Sequence, residues 1–439
     1  MINLFTMKKN WILITFVMVF IPSLFARGEN YNKDTDGSTT KIEKDTIDQE
    51  VDEPTLKKIA KNIYFSAYFQ GQYQHGQKDV NRLMVGSTNE NYGEKSFNRF
   101  GLRRAFFSTM YQTGIVQALL TVEVKDNKDI WFSDAFLNIT DPWTNRFSLS
   151  VGSLNPNFGY ELSVSPSAYE LIEGTSFLYS LLPDIYDIGA QLTYRAPEKY
   201  ANLNVNLSLV GGNGVQRETD SRRDFVGTVT ASTNKKKPVR LSGGFSYYNG
   251  SVYQGSENVY KMKGKEFVLN SNPDNIGKYA KREYFDINAQ LAFDTPFGLS
   301  QLRGEYVFGT QPAGGDFYDS PNSKDRPTTD TYIRDFNGGY VYYLQQLGKK
   351  LPLTFWGGYS WHDPNTKVSD NEVGQFNTNA TDISYQTVSL GLIWFPYPAI
   401  RVQAFYEMPI NEKSINLAEQ GFNRNRKDNI FSLRIQYKY

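Results

Sequence analysis

The feature that most constrains how this chain can fold is a two-residue alternation of apolar and polar side chains, repeated along most of its length. In the segment 202–209 every second residue is aliphatic and each residue between is small and polar. Segments 116–123, 188–195 and 287–293 alternate in a similar way. A period of two places the two sets on opposite faces of a pleated strand. The chain is therefore predicted to be all-β, with one apolar and one polar face on each strand.

The lengths of these segments distinguish two kinds of β protein. Strands of soluble sheets are most often about five to six residues long, whereas many segments here run for ten residues or more. Tilted membrane-spanning strands need about 9–11 residues. We therefore predict a transmembrane antiparallel β-barrel over residues 62–439. The alternative is a soluble β-sandwich, in which the apolar faces would form the core.

The links between the candidate strands alternate in length. The candidate strands, roughly sixteen, fall near 62–75, 97–111, 114–125, 130–140, 146–153, 187–195, 201–210, 223–233, 238–248, 281–294, 298–308, 332–346, 351–362, 382–395, 398–408 and 428–439. Tight turns, as at 141–145 and 196–200, alternate with links of about twelve to over thirty residues, with one short exception near 126–129. Short turns at one end and long loops at the other are typical of bacterial outer-membrane barrels. We therefore place the protein in the bacterial outer membrane, in contact with its lipid.

The first sixty residues predict how the protein is exported. Two lysines precede an apolar run at 11–21, and Ala26 stands at a plausible cleavage point, so residues 1–26 are predicted to be a signal peptide. The alternative is a single membrane anchor, although the run is shorter than a bilayer needs. Residues 27–61 are polar and charged, and we expect them to form a flexible N-terminal extension.

The last nine residues, 431–439, carry apolar or aromatic side chains at every second position up to Tyr439. They resemble the C-terminal strand signature that outer-membrane barrels present to their assembly machinery, in which the terminal residue is usually Phe. The resemblance implies the barrel assembly machinery as a partner.

Composition argues against several other functions. The chain has 47 Lys and Arg against 46 Asp and Glu, so it lacks the positive surplus that nucleic-acid binding needs. It has no Cys and two His, which removes most of the usual ligands of zinc and haem, and we expect no cofactor. Aromatic residues make up 15% of a chain whose mean hydropathy is −0.50. A membrane barrel accounts for both values, because aromatic girdles meet the lipid interfaces while polar faces meet water.

A barrel of sixteen strands is wide enough to enclose an aqueous channel. The residues opposite the aliphatic faces are polar, which predicts a wet interior. Any one of the charged side chains there could instead brace the wall through a salt bridge. The predicted pore-lining residues are Arg99, Arg103, Glu123, Asp134, Arg195, Arg240, Asp286, Arg303, Glu305, Arg401 and Arg434.

The third long loop, about 153–187, is too apolar to sit freely in water. We therefore predict that it folds inward and narrows the channel. It carries several acids and no Lys or Arg, so it would set up a transverse field against arginines on the wall. The predicted constriction residues are Asn155, Phe158, Glu161, Glu170, Glu173, Asp184 and Tyr186.

The start of this loop is similar to a known family. Residues 152–161, Gly-Ser-Leu-Asn-Pro-Asn-Phe-Gly-Tyr-Glu, resemble the Gly-x-Phe-Lys-x-Pro-Phe-Gly-x-Glu stretch of the phosphate-selective porin O and P family. Residues 184–189 and 103–105 are similar as well, and the likeness in layout spans about 62–439. The resemblance implies a sixteen-stranded, usually trimeric, general or anion-selective channel for small solutes and ions, and hence a homotrimer.

The sequence departs from that family at two positions. Asn155 stands where the family often has Lys, and Tyr186 stands where an Arg is common. We therefore expect weak selectivity and no strong block by phosphate.

Other classes of function remain as alternatives. The motifs G-x-S-x-G, H-E-x-x-H, Walker A and G-x-G-x-x-G do not occur in the sequence, so we predict a porin and not an enzyme. The alternatives are an outer-membrane enzyme or adhesin, or an exported soluble β-protein that binds polysaccharide. Asp316, Asp319, Asp325 and Asp330 form an acidic outer segment that is an alternative calcium site, although their spacing does not match an EF-hand.

Overall fold

The computed structural model describes residues 61–80, 96–125, 129–182, 184–197, 202–233, 238–321, 325–348 and 351–439. The predicted signal peptide, 1–26, and the predicted extension, 27–61, lie outside the described residues except for Lys61.

Strands dominate this part of the chain. They are β1 (Ile63–Gln77), β2 (Ser96–Thr113), β3 (Val116–Lys125), β4 (Asp129–Thr140), β5 (Phe147–Leu154), β6 (Asp187–Arg195), β7 (Asn204–Val210), β8 (Asp224–Ser232), β9 (Val239–Tyr253), β10 (Asn258–Lys263), β11 (Glu266–Ser271), β12 (Tyr279–Thr295), β13 (Gly298–Ala313), β14 (Thr331–Gln346), β15 (Leu353–Asp363), β16 (Tyr385–Tyr397), β17 (Ile400–Asn411) and β18 (Ile430–Lys438). One α-helix, α1 (Ser176–Leu181), and four 3-10 turns (Pro273–Asn275, Asp370–Glu372, Ala380–Asp382 and Ile415–Leu417) are found in the same ranges. No helix in these ranges is long and apolar enough to cross a membrane.

Sixteen of the described strands close into one antiparallel ring. Each strand pairs with its neighbour along the chain, except that β9 pairs directly with β12. β1 closes the ring because it pairs with both β2 and β18: Tyr73 lies opposite Phe100 on one side and Leu433 on the other. Closure leaves no free edge strand, as a membrane barrel requires. The predicted sixteen-stranded transmembrane barrel is confirmed.

β10 and β11 lie outside the ring and were not predicted. They form a hairpin within the connection between β9 and β12, and Val259 to Lys261 pair in parallel with the beginning of β14. Each strand has six residues, and β10 carries two lysines among its apolar residues. A segment this short and this charged carries little alternation, which is why the sequence did not indicate it.

The alternation sorts side chains between the lumen and the outer surface. On β18, Arg434 and Gln436 point into the barrel and are 2% and 4% exposed, whereas Ile435 and Tyr437 point outward and are 55% and 46% exposed. The same pattern on the other ring strands places exposed Leu, Ile, Val and Phe side chains over the outside of the barrel. Apolar surface on this scale requires lipid as its surroundings.

The wall is uneven in height. β5 to β8 contain only seven to nine residues each, whereas β12 to β14 contain 16 or 17. Because β5 is short, the connection that follows it leaves the wall early and can turn into the lumen.

The long loops form a packed cap at the opposite end from the tight turns. The cap consists of the β10–β11 hairpin and the connections 364–384 and 412–429, which share a small apolar cluster (Val368, Val373, Ile383, Leu417 and Phe422). Arg334 of β14 donates to Asp382 over 2.9 Å, and neither side chain is exposed. The Phe267 N–H donates to the Phe376 carbonyl and ties the hairpin to the first connection.

Candidate pore constriction

The segment 155–186, described except for residue 183, folds into the barrel and is called the inner loop here. Its Gly159 N–H donates to Ser246 on β9 over 3.0 Å, and the carbonyl of Glu170 accepts from Gln403 on β17 over 2.7 Å. The Ser167 carbonyl accepts from Gln436 on β18 over 3.1 Å. The inner loop therefore spans the lumen, and the prediction that the third long loop folds inward is confirmed.

Two asparagines and a glycine turn the chain inward at the start of this loop. The Asn155 side chain accepts from the Asn157 N–H over 2.8 Å and donates to the Leu162 carbonyl over 2.6 Å. Asn157 and Gly159 have positive φ angles of 60° and 68°, a region that Asn and Gly adopt most readily. Asn155 thus acts as a turn residue whose amide is engaged by the backbone.

The inner loop buries an apolar face against one side of the wall. Phe158, with 1% of its surface exposed, lies edge-on to Tyr248 of β9 and near Tyr284 of β12, at ring distances of 6.1 Å. The cluster continues through Tyr342 of β14 to Trp356 of β15, at 4.7 Å. The interior is therefore not uniformly polar, and the prediction of a wet interior needs this correction. Several aromatic residues of the wall thus face inward and cover the apolar side of the loop, in addition to the aromatic residues expected at the lipid interfaces.

Charged groups hold the inner loop on another side. Glu173 accepts from Arg103 of β2 over 2.9 Å and from Arg434 of β18 over 2.7 Å. Burial alone would raise the pKa of the Glu173 carboxyl, but the two arginines outweigh it and hold that pKa at about 2. Glu170 accepts from Arg303 of β13 over 2.8 Å. These pairs cancel much of the transverse field that the sequence suggested.

A second group of acids meets without such pairing. Glu305 of β13 accepts from the N–H groups of Tyr160 and Glu161, each over 3.0 Å, and from the Tyr340 hydroxyl over 2.6 Å. Asp286 lies on the neighbouring strand, and none of Glu161, Asp286 and Glu305 forms an ion pair within the described ranges. Burial and the nearby Glu305 charge raise the pKa of Glu161 to about 8. Because Glu305 accepts from two backbone N–H groups of the inner loop, it fastens the loop to β13 and is called the Glu305 latch here.

A β-bulge brings an arginine into the lumen that the alternation did not predict. The register between β1 and β2 shifts opposite Gln70 and Gly71, so that Arg103 is an extra residue and both it and Arg104 face inward. The Arg104 Nε lies 3.8 Å from Glu123 of β3. The signal in the sequence is the Arg-Arg pair itself, which breaks the period of two.

The end of the inner loop lines a side cavity of about 290 Å³ against β2, β3 and β4. Its lining includes Arg104 and Glu123 from the wall and Tyr179, Asp184 and Tyr186 from the loop. Three of the predicted residues, Glu123, Asp184 and Tyr186, therefore come together here.

The other predicted pore-lining residues are spread over the wall. Arg401 of β17 donates to a glutamine of β18 over 2.8 Å. Arg195 and Arg240 stand at the tight-turn ends of β6 and β9, and Arg240 lies 3.4 Å from an aspartate of β12. Arg99 is the fourth residue of β2, near the end of that strand that adjoins a long loop. Asp134 lies in the middle of β4.

Two further cavities flank the inner loop beside β14 to β17. The upper cavity, about 760 Å³, lies between the inner loop and the cap. The lower cavity, about 240 Å³, opens toward the tight turns and is lined by Glu170, Arg401 and Ile393, among others. A narrow gap of about 10 Å³ lies at Thr175 and Ser389. A gap of this size holds about one water molecule.

One strand, β16, contributes lining residues to all three of these spaces. Inward residues of β16 follow one another from the upper cavity, lined by Tyr385 and Thr387, through the gap, lined by Thr387 and Ser389, to the lower cavity, lined by Ile393. The gap is completed by Tyr342 and by other side chains of the wall, including Glu407. Sequence reasoning did not select this strand, because its inward residues are uncharged.

Solved outer-membrane proteins share this architecture. OprB of Pseudomonas putida, in a high-pH structure, aligns with a TM-score of 0.57 at 9% identity, covering 88% of this chain and 96% of that one. A loop L8 deletion mutant of OmpT, an outer membrane protein of Vibrio cholerae, aligns with a TM-score of 0.51 at 12% identity, covering 86% and 99%. The outer membrane channel DcaP of Acinetobacter baumannii gives a TM-score of 0.50 at 14% identity, covering 86% and 97%.

No family model matches the sequence, and no curated protein matches it. At such low identities the structural likeness shows the fold alone, a closed antiparallel β-barrel like those of these outer-membrane proteins. The band of exposed apolar side chains on the outside of the barrel fits a lipid bilayer. The protein is a β-barrel of the bacterial outer membrane.

Proposed function

We propose that this barrel is a porin that lets small hydrophilic solutes and ions diffuse passively across the outer membrane. The observation that carries the proposal is the row of inward residues on β16, which lines the upper cavity, the gap and the lower cavity in turn. The path runs between the inner loop and the wall formed by β14 to β17. Its narrowest point lies at Thr175, Ser389 and Glu407.

The gap and the lower cavity carry few charges, and these are of both signs. Glu170 and Arg401 both line the lower cavity, and Glu407 lines the gap. Arg103 and Arg434, which are the basic groups best placed to attract an anion, are already paired with Glu173. The proposed channel is therefore weakly selective, and phosphate does not block it strongly. Membership of the phosphate-selective porin O and P family is proposed only as an ancestry, supported by the stretch 152–161.

The remaining parts of the proposal concern export and assembly. Residues 1–26 direct export, and β18 is the strand that the assembly machinery recognises. A homotrimer is proposed from the family resemblance, and native mass spectrometry of the protein in detergent tests it. An outer-membrane enzyme or adhesin is the second reading, and within the described ranges no group of three or more His, Asp or Glu is arranged to hold a metal ion.

Conductance of the refolded protein in a planar lipid bilayer tests the proposal. We expect discrete steps of low conductance in KCl, because the gap is narrow, and a reversal potential near zero in a KCl gradient, with or without phosphate. The absence of steps would overturn the proposal. A strong block by phosphate would overturn the claim of weak selectivity alone.

A matched pair of variants locates the path. Ser389→Trp fills the gap from inside the barrel and is expected to reduce the step size severalfold. Leu390→Trp adds the same ring to the next residue, which is 47% exposed on the outer face, and is expected to leave the steps unchanged. Equal effects of the two substitutions would contradict a path along β16.

A further inference from the structure

The upper cavity is lined by an unusual number of rings. Phe177 of the inner loop, His362 of β15, Tyr318 of the connection after β13 and Phe422 of the cap all contribute. The rings of Phe177 and His362 stack at 5.0 Å with a 10° angle between their planes, and Tyr318 lies edge-on to His362 at 4.7 Å. The volume of the upper cavity, about 760 Å³, is within the range of small-molecule sites, roughly 300–1,000 Å³.

These rings are held by packing more than by hydrogen bonds. The Nε2 atom of His362 and the hydroxyl of Tyr318 are buried, and neither has a hydrogen-bond partner in the described ranges. Buried polar atoms are nearly always paired in folded proteins. Both atoms therefore keep a hydrogen-bonding capacity that no described group uses.

The charge of the described lining is negative. Asp316, Asp319 and Asp428 contribute three carboxylates against the single guanidinium of Arg426. Asp316 and Asp319 are exposed, and both lie in the connection that also carries Tyr318. Carboxylates in a confined cavity raise the local concentration of cations and repel anions.

One contact in the cavity already pairs a cation with a ring. The guanidinium carbon of Arg426 lies 4.9 Å from the centre of the Phe422 ring. Aromatic faces attract cations through their quadrupole, and cages of such rings recognise quaternary ammonium groups. Rings and carboxylates together favour a ligand with an apolar body and a positive charge.

We infer that the upper cavity is a binding site for small organic cations that carry an aromatic or quaternary ammonium group. The inference deepens the proposed function, because it names the class of solute that is retained above the gap. Only the retention of a solute above the gap rests on the proposed function, since binding itself does not require conduction.

Titration calorimetry on the refolded full-length protein in detergent tests the inference. The probes are benzyltrimethylammonium, phenylacetate and benzyl alcohol, which share a phenyl ring and differ in charge. We expect the cation to bind about tenfold more tightly than the anion at low salt, with the neutral probe between them. Equal affinities, or tighter binding of phenylacetate, would overturn the inference.

Substitutions assign the binding to this cavity. Asp316→Asn with Asp319→Asn is expected to weaken cation binding about tenfold and to leave benzyl alcohol unaffected. Asp274→Asn with Glu419→Gln removes two exposed carboxylates from outside the lining and is expected to change nothing. Phe317→Leu, at another lining ring, is expected to weaken the cation severalfold and phenylacetate little. The same loss in both double variants would overturn the assignment.

Bilayer recordings on the same preparation keep the two proposals apart. Cation binding without conductance steps would remove the diffusion channel and leave the binding site. Conductance steps without preferential cation binding would remove the site and leave the channel.

Discussion

The inner loop is held on two sides of the barrel by different forces. Toward β9, β12, β14 and β15 it packs apolar side chains against an aromatic cluster of the wall, which includes Tyr284 and Trp356. Toward β18, β1 and β2 it is held by hydrogen bonds and ion pairs, three of which end on the Glu173 carboxylate. The apolar side fixes the position of the loop whatever the pH or salt concentration. The charged side sets the field in the lumen and responds to both.

The largest expected effect comes from the apolar side. Trp356→Ala removes a ring that is 1% exposed and touches Tyr342 and Phe405, and it should destabilise the aromatic cluster on which the loop packs by about 3–5 kcal/mol. Conductance should rise and the loop should become a site of protease cleavage. Trp394→Ala removes a ring that is 46% exposed on the outer face, and neither change is expected there.

The charged side should give a smaller effect of a different kind. Glu173→Gln leaves Arg103 and Arg434 without their carboxylate and should cost about 3 kcal/mol, at the low end for a buried pair because 22% of the Glu173 side chain is exposed. The reversal potential in a KCl gradient should shift toward anion selectivity. Glu218→Gln, at an exposed pair with Arg223, is the control. An unchanged reversal potential would show that these arginines do not face the conducting path.

The turn that joins the two sides can be tested with a pair of glycines. Gly159 and Gly264 have φ angles of 68° and 64°, so alanine strains the backbone equally at both. A side chain at Gly159 would also collide with the Glu305 carboxylate, whereas the space around Gly264 is open. Gly159→Ala should therefore loosen the loop by about 1–2 kcal/mol more than Gly264→Ala. Equal protease sensitivity of the two variants would contradict the Glu305 latch.

The smallest expected effect is a dependence on pH. The Glu161 carboxyl, whose pKa of about 8 lies above its ordinary value of 4.5, stabilises the docked loop fully below pH 4.5. That contribution declines as the pH rises and is lost above about 8, where the ionised group faces Glu305. Conductance should therefore increase modestly between neutral pH and pH 9.

Glu161→Gln supplies the control for this dependence. The amide is neutral at every pH and has nearly the shape of the protonated acid, so the increase should disappear in this variant. A persistent increase would assign the pH response to another group.

The barrel was largely predictable from sequence because lipid and water impose one rule on every ring strand. Predicted and observed bounds differ by a few residues at most strand ends, and the predicted segment 187–195 coincides with β6. The exceptions have local causes. The bulge at Arg103 and Arg104 breaks the period of two. The β10–β11 hairpin lies outside the ring of strands, so contact with lipid does not impose an apolar face on it.

The candidate site was predictable in part. The sequence indicated that the inner loop folds inward, since its apolar residues needed cover. It did not indicate which wall residues provide that cover, because an inward Tyr284 and a lipid-facing Tyr306 look alike in an alternating pattern. The role of Glu305 as a latch depends on backbone N–H groups far away in sequence, and no pattern of side chains reports them.

Accessibility of a cysteine at Ser389 tests the central claim most directly, namely that solutes pass between the inner loop and β16. The chain has no native cysteine, so a single introduced thiol is the only target. In Ser389→Cys, a charged methanethiosulfonate reagent added during bilayer recording should reduce the current, whereas in Leu390→Cys it should not. Loss of current in Asn206→Cys, on the opposite wall, with none in Ser389→Cys would place the path elsewhere and contradict the account.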